Sequence, residues 1–173
     1  IMATGSNLKG LEVIRHRDDD GNETECAALV AMVQNKKGKP ATLHLTYIDP
    51  DTLDKIDAKP NKRILPTMRK YTGGGILLQD GGFGTKLSKQ LIIAEGIETA
   101  LASHKAIYGE RDFYVDTFAT VNANGLRQFD SNIKQYDLIT IAGDNDANFI
   151  GQSSAYQLAN RLVRQYPDKQ IEV

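Results

Sequence analysis

The hydrophobic positions in the first part of the chain fall into three strand-like runs, at residues 11–17, 26–34 and 41–48. The first and third runs alternate apolar and polar residues, which is the pattern of a half-buried β-strand. The runs are separated by turn sequences at 18–22 and 35–40, each containing glycine. Three strands joined by tight turns predict a small antiparallel meander.

Two of the three histidines lie in these strand-like runs, and the third lies in a later helical pattern. His44 lies with Thr46 on the polar face of the third run, so we expect a surface or partner-facing side chain rather than a metal ligand or base. His16 is interpreted in the same way. His104 falls within a later helical pattern, where we expect a structural role.

From Lys89 onward the pattern changes to strands that alternate with helices. Strands are predicted at 91–94, 115–121, 138–142 and 170–173, with helices after each of the first three. This alternation is typical of a parallel sheet with right-handed crossovers. The predicted fold class is therefore α/β: a parallel sheet of about four strands with flanking helices, preceded by a small β-rich antiparallel subdomain. We place the two domains at residues 8–86 and 87–173.

The segment between these two parts, residues 49–71, contains three prolines and most of the local positive charge, and it is predicted as a long loop with one short helix. Its cationic residues are opposed between 55 and 70 by Asp57 alone: Lys55, Lys59, Lys62, Arg63, Arg69 and Lys70. Either a solvated loop or a surface that faces phosphate or nucleic acid fits this composition. Six glycines between Gly73 and Gly84 are interpreted as turns around a short strand at 76–78.

Composition excludes several classes of protein. The single Cys26 excludes an internal disulfide and a multi-cysteine zinc site within this chain. No apolar run approaches the roughly 18 residues of a membrane span. Residues 1–6 lack the basic and apolar regions of a signal peptide, so we expect a flexible lead-in and a cytoplasmic location.

Acidic and amide residues follow the predicted parallel strands at Glu95, Asn122, Asp144 and Asp146. Ligands of open parallel sheets bind at the carboxyl ends of the strands, so we expect these side chains to converge. Clustered carboxylates require either a raised pKa or a bound cation, and oxygen ligands suit Mg²⁺ or Mn²⁺. An ordinary capped loop at residues 144–146 is the alternative.

The motif Glu95-Gly96-Ile97-Glu98-Thr99-Ala100, followed later by Asp144-Asn145-Asp146, resembles the Toprim domain. It is most similar to the primase-like branch found in phages, plasmids and mobile elements. That branch also resembles the chain at His44-Leu45-Thr46-Tyr47 with Asp49, at residues 73–78 and 122–126, and at Gly151. The resemblance covers roughly residues 43–173.

The resemblance implies the catalytic core of a DNA primase-like protein, a magnesium-dependent nucleotidyltransferase. Glu95 would be the general acid/base or a shared metal ligand, and Asp144 and Asp146 would hold Mg²⁺ or Mn²⁺. Glu98, Asn122 and Asn124 would support the site. The implied reaction joins nucleoside triphosphates into a primer on single-stranded DNA and releases pyrophosphate. From their charge we expect five cations to face the template or the nucleotide: Lys55, Lys62, Arg63, Arg69 and Lys70.

Two alternatives remain open in the sequence: a Toprim nuclease that uses the same acids with water as the nucleophile, and a non-catalytic nucleic-acid-binding module. Primase-like relatives carry a further acidic motif after the fourth strand, whereas this chain ends at Val173. Helicase or zinc-binding modules are also expected in the full-length protein. We therefore expect a piece of a larger protein, whose activity in isolation the sequence leaves open.

Overall fold

The computed structural model describes residues 7–81, 89–109 and 115–173, so the lead-in at 1–6 and the glycines at 82 and 84 lie outside the described residues. The first sheet has four antiparallel strands in the order β1-β2-β3-β4: Leu8–Arg17, Glu23–Gln34, Pro40–Ile48 and Lys62–Ile64. The second has five strands, β5 to β9: Ile76–Gln79, Gln90–Ala94, Val115–Ala119, Leu138–Ala142 and Gln170–Glu172. The helices are α1 Ile97–Tyr108, α2 Ala123–Gln128 and α3 Ile150–Gln165, with a short 3-10 helix at Ile133–Gln135.

The predicted antiparallel meander is confirmed, and its turns have local causes. In the β1–β2 turn, the Asp18 carboxylate accepts hydrogen bonds from the backbone and side-chain nitrogens of Asn22 at 2.8 and 2.9 Å. In the β2–β3 turn, Asn35 Oδ1 accepts the backbone N–H groups of Lys37 and Lys39 at 2.9 and 3.1 Å. Side chains that satisfy backbone donors in this way stabilise turns.

The prediction of one short helix within residues 49–71 was wrong, because strand β4 forms there instead. Lys62–Ile64 pairs with β3, with Ile64 opposite His44 and Lys62 opposite Thr46. Three residues are too short for a recognisable pattern. Their conformation is set by the open edge of β3, which supplies backbone partners that the sequence does not reveal.

The expectation of exposed histidines was also wrong for His44 and His16, whose side chains are buried. His44 pairs with Ala31 on the face that packs toward the second sheet, whereas His16 lies on the opposite face, beside Tyr47. His16 Nε2 lies 3.0 Å from the Pro60 carbonyl, and its ring packs edge-on against Tyr47. His104 has the expected structural role, since its Nδ1 lies 2.8 Å from the Thr117 hydroxyl and ties α1 to β7.

The second sheet contains the four predicted parallel strands and one further strand. Strands β6 to β9 are parallel, in the spatial order β7-β6-β8-β9. Strand β5 pairs antiparallel with β7 at the edge of the sheet. It confirms the short strand predicted between the glycines, and it joins the second sheet although it precedes residue 87. The division at 86/87 falls outside the described residues and stays a prediction.

Two apolar clusters determine how the sheets lie. One packs α2 and α3 against the parallel sheet and includes Phe118, Phe129, Ile141 and Leu158. The other joins the sheets: Ala31 and Val33 of β2 pack with Ile76, Ala94 and Ile97. The first sheet is thereby fixed over β5, β6 and α1. In the described residues, none of the helices has both the length and the apolar character needed to cross a membrane.

A buried carboxylate, that of Asp116 in β7, connects this strand to two other segments of the chain. Asp116 has no exposed surface and accepts hydrogen bonds from the Tyr136 hydroxyl and the Gly81 N–H, both at 2.7 Å, and from Gln135 Nε2 at 3.3 Å. Removing a donor from a buried charged group leaves part of its desolvation cost unmatched.

We therefore expect Tyr136→Phe to lower the free energy of unfolding by about 1–3 kcal/mol in urea denaturation. Tyr156→Phe is the matched control, because Tyr156 is 63% exposed and should leave stability unchanged. Equal stability of Tyr136→Phe and wild type would show that this hydrogen bond contributes nothing.

Candidate active site

The order of the parallel strands creates a crevice at one edge of the second sheet. The chain passes from β6 through α1 to β7 on one side, and then returns to β8 on the other side of β6. Ala94 pairs in register with Ala142, so the carboxyl ends of β6 and β8 lie side by side. Open α/β sheets bind their ligands at such a change of direction. Glu95 follows β6 directly, and Asp144 follows β8 after one glycine.

Glu95 carries negative charge that nothing in the described residues balances fully. Its Oε2 atom is buried and has no hydrogen-bond partner there. Burial, and then the charges of Asp144 and Asp146, raise the pKa of Glu95 above its ordinary value, against a smaller opposing effect from the Ala123 backbone N–H and from Lys62. The mutual influence of the three carboxylates indicates that the fold brings them to one place.

Asp144 is held by α1 and by the start of α3. The Thr99 hydroxyl donates a hydrogen bond of 2.7 Å to Asp144 Oδ1. A Cβ atom at Gly151 would lie 2.4 Å from the Asp144 carbonyl oxygen, so only glycine allows α3 to begin against this backbone. Thr99 was assigned no role from sequence. Its signals in the sequence were its place in the motif at residues 95–100 and its position one helical turn after Glu95.

Asp146 has a different environment from Asp144, because it is exposed whereas Asp144 is partly buried. Its backbone carbonyl accepts hydrogen bonds from the Phe149 N–H at 3.0 Å and from Gln152 Nε2 at 3.1 Å, which fixes the loop ahead of α3. In the part of the chain that the structure describes, no three His, Cys, Asp or Glu side chains form a group that could hold a metal ion. The metal assignment stays a prediction.

Glu98 lies in the first turn of α1 and binds two lysines of the first sheet and its loop. Lys55 Nζ and Lys62 Nζ lie 2.5 and 3.7 Å from Glu98 Oε1. Burial alone would raise the pKa of Glu98, but the Lys55 hydrogen bond and the charge of Lys62 bring it below its ordinary value. The same hydrogen bond raises the pKa of Lys55. Two of the five predicted cations therefore stand beside the acids.

The other three predicted cations occupy different places. Arg63 alternates with Lys62 along β4, and its Nη2 donates to the Arg17 carbonyl at 3.3 Å. Lys70 lines a cavity of about 280 Å³. Arg69 is exposed. The structure does not bring Arg63 or Arg69 into contact with the carboxylates.

Asn122 and Asn124 line the same cavity as Lys70, at the carboxyl end of β7. Asn122 Oδ1 caps α2 by accepting the Gly125 N–H at 2.8 Å, and Asn124 Oδ1 accepts Gln128 Nε2 at 3.1 Å. Thr120 also lines this cavity, and its backbone N–H donates to the carbonyl of Ala94, the residue before Glu95, so the cavity adjoins the acidic crevice. Both asparagines thus have local structural roles beside the site.

His44 is a further residue near the crevice that the sequence placed on the surface. Its Nδ1 is buried without a hydrogen-bond partner among the described residues. Burial and then the charge of Lys62 lower the pKa of His44, against an opposing effect of Glu98. The face of β3 that carries His44 also packs toward the second sheet, which only the tertiary structure determines.

Comparisons with known proteins agree with this geometry. Residues 90–167 match the family model described as the Toprim domain. Residues 5–76 match another model, described as a domain of unknown function (DUF7146). A search of the curated proteins finds no significant match.

Two solved structures share the fold over nearly the whole chain. The primase fragment of the bacteriophage T7 primase-helicase protein matches with a TM-score of 0.52 at 14% identity, over 93% of this chain and 57% of that one. A DNA primase domain from Pseudomonas aeruginosa matches with a TM-score of 0.51 at 12% identity, over 92% of this chain and 47% of that one. The chain thus spans about half the length of these structures. Its C-terminal part is similar to the Toprim domain, and the fold of the whole resembles that of these primase structures.

The raised pKa of Glu95 makes stability depend on pH in a defined direction. The folded state holds the Glu95 proton more tightly than the unfolded state, whose value is near 4.5. The stabilisation that results from this difference is fully present below the unfolded pKa. It is lost as pH rises through the raised pKa of the folded state. Glu95→Gln removes the dependence.

We expect Glu95→Gln, without divalent cations, to be more stable than wild type near about pH 7, and the difference to vanish below about pH 4. Urea denaturation across this range measures it, with exposed Glu12→Gln as the control. A variant that is less stable than wild type near neutral pH would contradict the electrostatic assignment.

Proposed function

We propose that this chain is the catalytic core of a DNA primase-like protein that synthesises primers on single-stranded DNA by metal-dependent nucleotidyl transfer. The observation that carries the proposal is the position of Glu95 and Asp144. They meet at the crevice between β6 and β8 of a Toprim domain, and the buried Glu95 Oε2 has no partner among the described residues. The primase-like fold supports the same reaction class.

The residues present fit a hard divalent cation. Glu95, Asp144 and Asp146 offer only oxygen ligands. Burial, and then the charges of Asp144 and Asp146, raise the pKa of Glu95, and a bound cation would oppose both effects. Mg²⁺ binds through one or two carboxylates plus water and substrate phosphates, so it does not need a complete protein cage. When bound, Mg²⁺ or Mn²⁺ would stabilise negative charge on the transferred phosphoryl group.

The protein's own residues then take distinct roles in the proposed reaction. Glu95, whose raised pKa favours proton uptake, accepts the proton of an attacking 3′-hydroxyl. The oxygen forms a bond to the α-phosphorus of a nucleoside triphosphate, and the bond to the pyrophosphate leaving group breaks. Lys55 and Lys62 are placed to bind phosphate oxygens, and Glu98 holds both of their ammonium groups near the crevice.

Partners follow from the same proposal. The substrates are single-stranded DNA template and nucleoside triphosphates. Because the chain spans about half of the primase structures that it matches, helicase or zinc-binding modules in the full-length protein are also part of the proposal. We also propose that the protein originates from a phage, plasmid or other mobile element, as the sequence motifs suggest.

The metal assignment can be tested without activity. We expect Mg²⁺ or Mn²⁺ to bind the 173-residue chain in isothermal titration calorimetry, and Asp144→Asn/Asp146→Asn to weaken binding at least about tenfold by removing two anionic ligands. Asp19→Asn/Asp20→Asn makes the same change of charge in the exposed β1–β2 turn and serves as the control. Unchanged affinity in the Asp144/Asp146 variant would exclude this site.

The reaction itself is tested by incorporation of labelled nucleoside triphosphates on single-stranded templates by the full-length protein. We expect Glu95→Gln to reduce incorporation by about 10²–10⁴-fold, the typical effect of losing a general base. Arg63→Gln, on the opposite face of β4 from Lys62, should retain activity. Degradation of the template without incorporation would instead favour the nuclease, with water as the nucleophile.

A further inference from the structure

A second positively charged surface lies away from the acids, between the β2–β3 turn and the 3-10 helix. This lysine groove has a volume of about 530 Å³ and is lined by the β2–β3 turn, the 3-10 helix with the residues before it, and the residue after α3: Lys36, Lys37, Asp130, Asn132, Lys134 and Tyr166. We propose that the lysine groove binds the backbone of the single-stranded nucleic acid as it runs away from the acidic crevice. This inference rests on the proposed function, because it names a second contact of the same template.

The charge of the groove is opposite to that of the chain. Three lysines face one carboxylate there, whereas the net charge of the whole chain is -1. Lys36 is paired with Asp130 at 3.2 Å. Lys37 and Lys134 form no salt bridge to any residue that the structure describes, so both ammonium groups can bind phosphates.

The two free lysines are carried by well-defined backbone. Asn35 Oδ1 holds the β2–β3 turn through the N–H groups of Lys37 and Lys39, and Gly38 adopts a left-handed conformation with φ of 71°. Lys134 lies in the 3-10 helix, which ends with a hydrogen bond of 3.2 Å from the Tyr136 N–H to the Ile133 carbonyl. Fixed backbone reduces the entropy lost when a phosphate is bound.

The groove lies next to the smaller cavity at Gly73. A Cβ atom on Gly73 would lie 3.4 Å from Asp130 Cβ and 3.6 Å from Lys36 Cδ, at the groove. Gly73 also lines the smaller cavity that contains Lys70 and Asn122 and adjoins Glu95. Crevice, smaller cavity and groove are therefore successive neighbours, and this is the path that the proposal assigns to the strand.

A linear polyanion is the ligand that this path fits. A mononucleotide would occupy the crevice and the smaller cavity without reaching Lys37 or Lys134. A single strand extends its phosphates past several sites in succession, and an aromatic side chain such as Tyr166 is a common platform for a base. The groove accordingly predicts that affinity depends on the length of the strand.

The test is fluorescence anisotropy with labelled oligothymidylates of about four and about twelve nucleotides, bound to the 173-residue chain at several salt concentrations. We expect Lys37→Gln/Lys134→Gln to weaken binding of the longer strand about tenfold and to leave the shorter strand unchanged. The dependence of log affinity on log salt should fall by about 1.4, since each phosphate contact contributes about 0.7. Lys9→Gln/Lys105→Gln removes the same charge outside the groove and should leave both affinities unchanged.

Several outcomes would contradict the proposal that the lysine groove binds the nucleic-acid strand. These are an unchanged affinity and salt dependence for the longer strand, an equal loss for both strands, or an equal loss in the control variant. Competition by polyglutamate as strong as that by the longer strand would overturn it in favour of a site for acidic peptides. A wild-type protein that makes no primer, while the groove variant still loses long-strand binding, would refute the proposed function and support the groove.

Discussion

The parallel pairing of β6 with both of its neighbours is the constraint on which the site depends. Because β6 lies between β7 and β8 in register, the carboxyl ends of all three strands meet at one edge. This arrangement places Glu95 beside Asp144 whether or not their charges favour it. The packing of Ile93, Phe118 and Ile141 supports the arrangement, while the buried Glu95 carboxylate opposes it. At this edge, apolar packing therefore stabilises the fold, whereas the carboxylate that could bind a cation destabilises it.

The contact between the two sheets decides which cations reach the acids. Ala31 and Val33 pack against Ile76 and Ala94, which holds the β3–β4 edge over the start of α1. Lys55 and Lys62 then meet Glu98, and Lys62 also influences Glu95. The parallel sheet supplies the carboxylates of the crevice, and the first sheet with its loop supplies Lys55 and Lys62. Both parts of the chain therefore contribute charged groups beside this edge.

Much of the parallel sheet was predictable because its signals are local. Continuous apolar runs mark β6 and β8, and Gly109 marks the end of α1, with a backbone N–H bonded to the Lys105 carbonyl. The candidate acids were found because strand ends direct side chains to a common edge in any open parallel sheet. Thr99 and His44 were missed as parts of the site, since their importance depends on residues 45 and 54 positions away along the chain: Asp144 and Glu98.

The sequence alone therefore determined the order of strands and helices, the Toprim motif and the strand-end acids, because each depends on neighbouring residues and on hydrophobic periodicity. Only the tertiary structure decided the burial of His16 and His44, the edge strand β4, the pairing of β5 at the edge of the second sheet, and the separation of Lys62 from Arg63. These features arise from pairing and packing between distant segments. The partner of an open strand edge, and the segment that covers an apolar face, depend on which distant parts of the chain lie close in the folded protein.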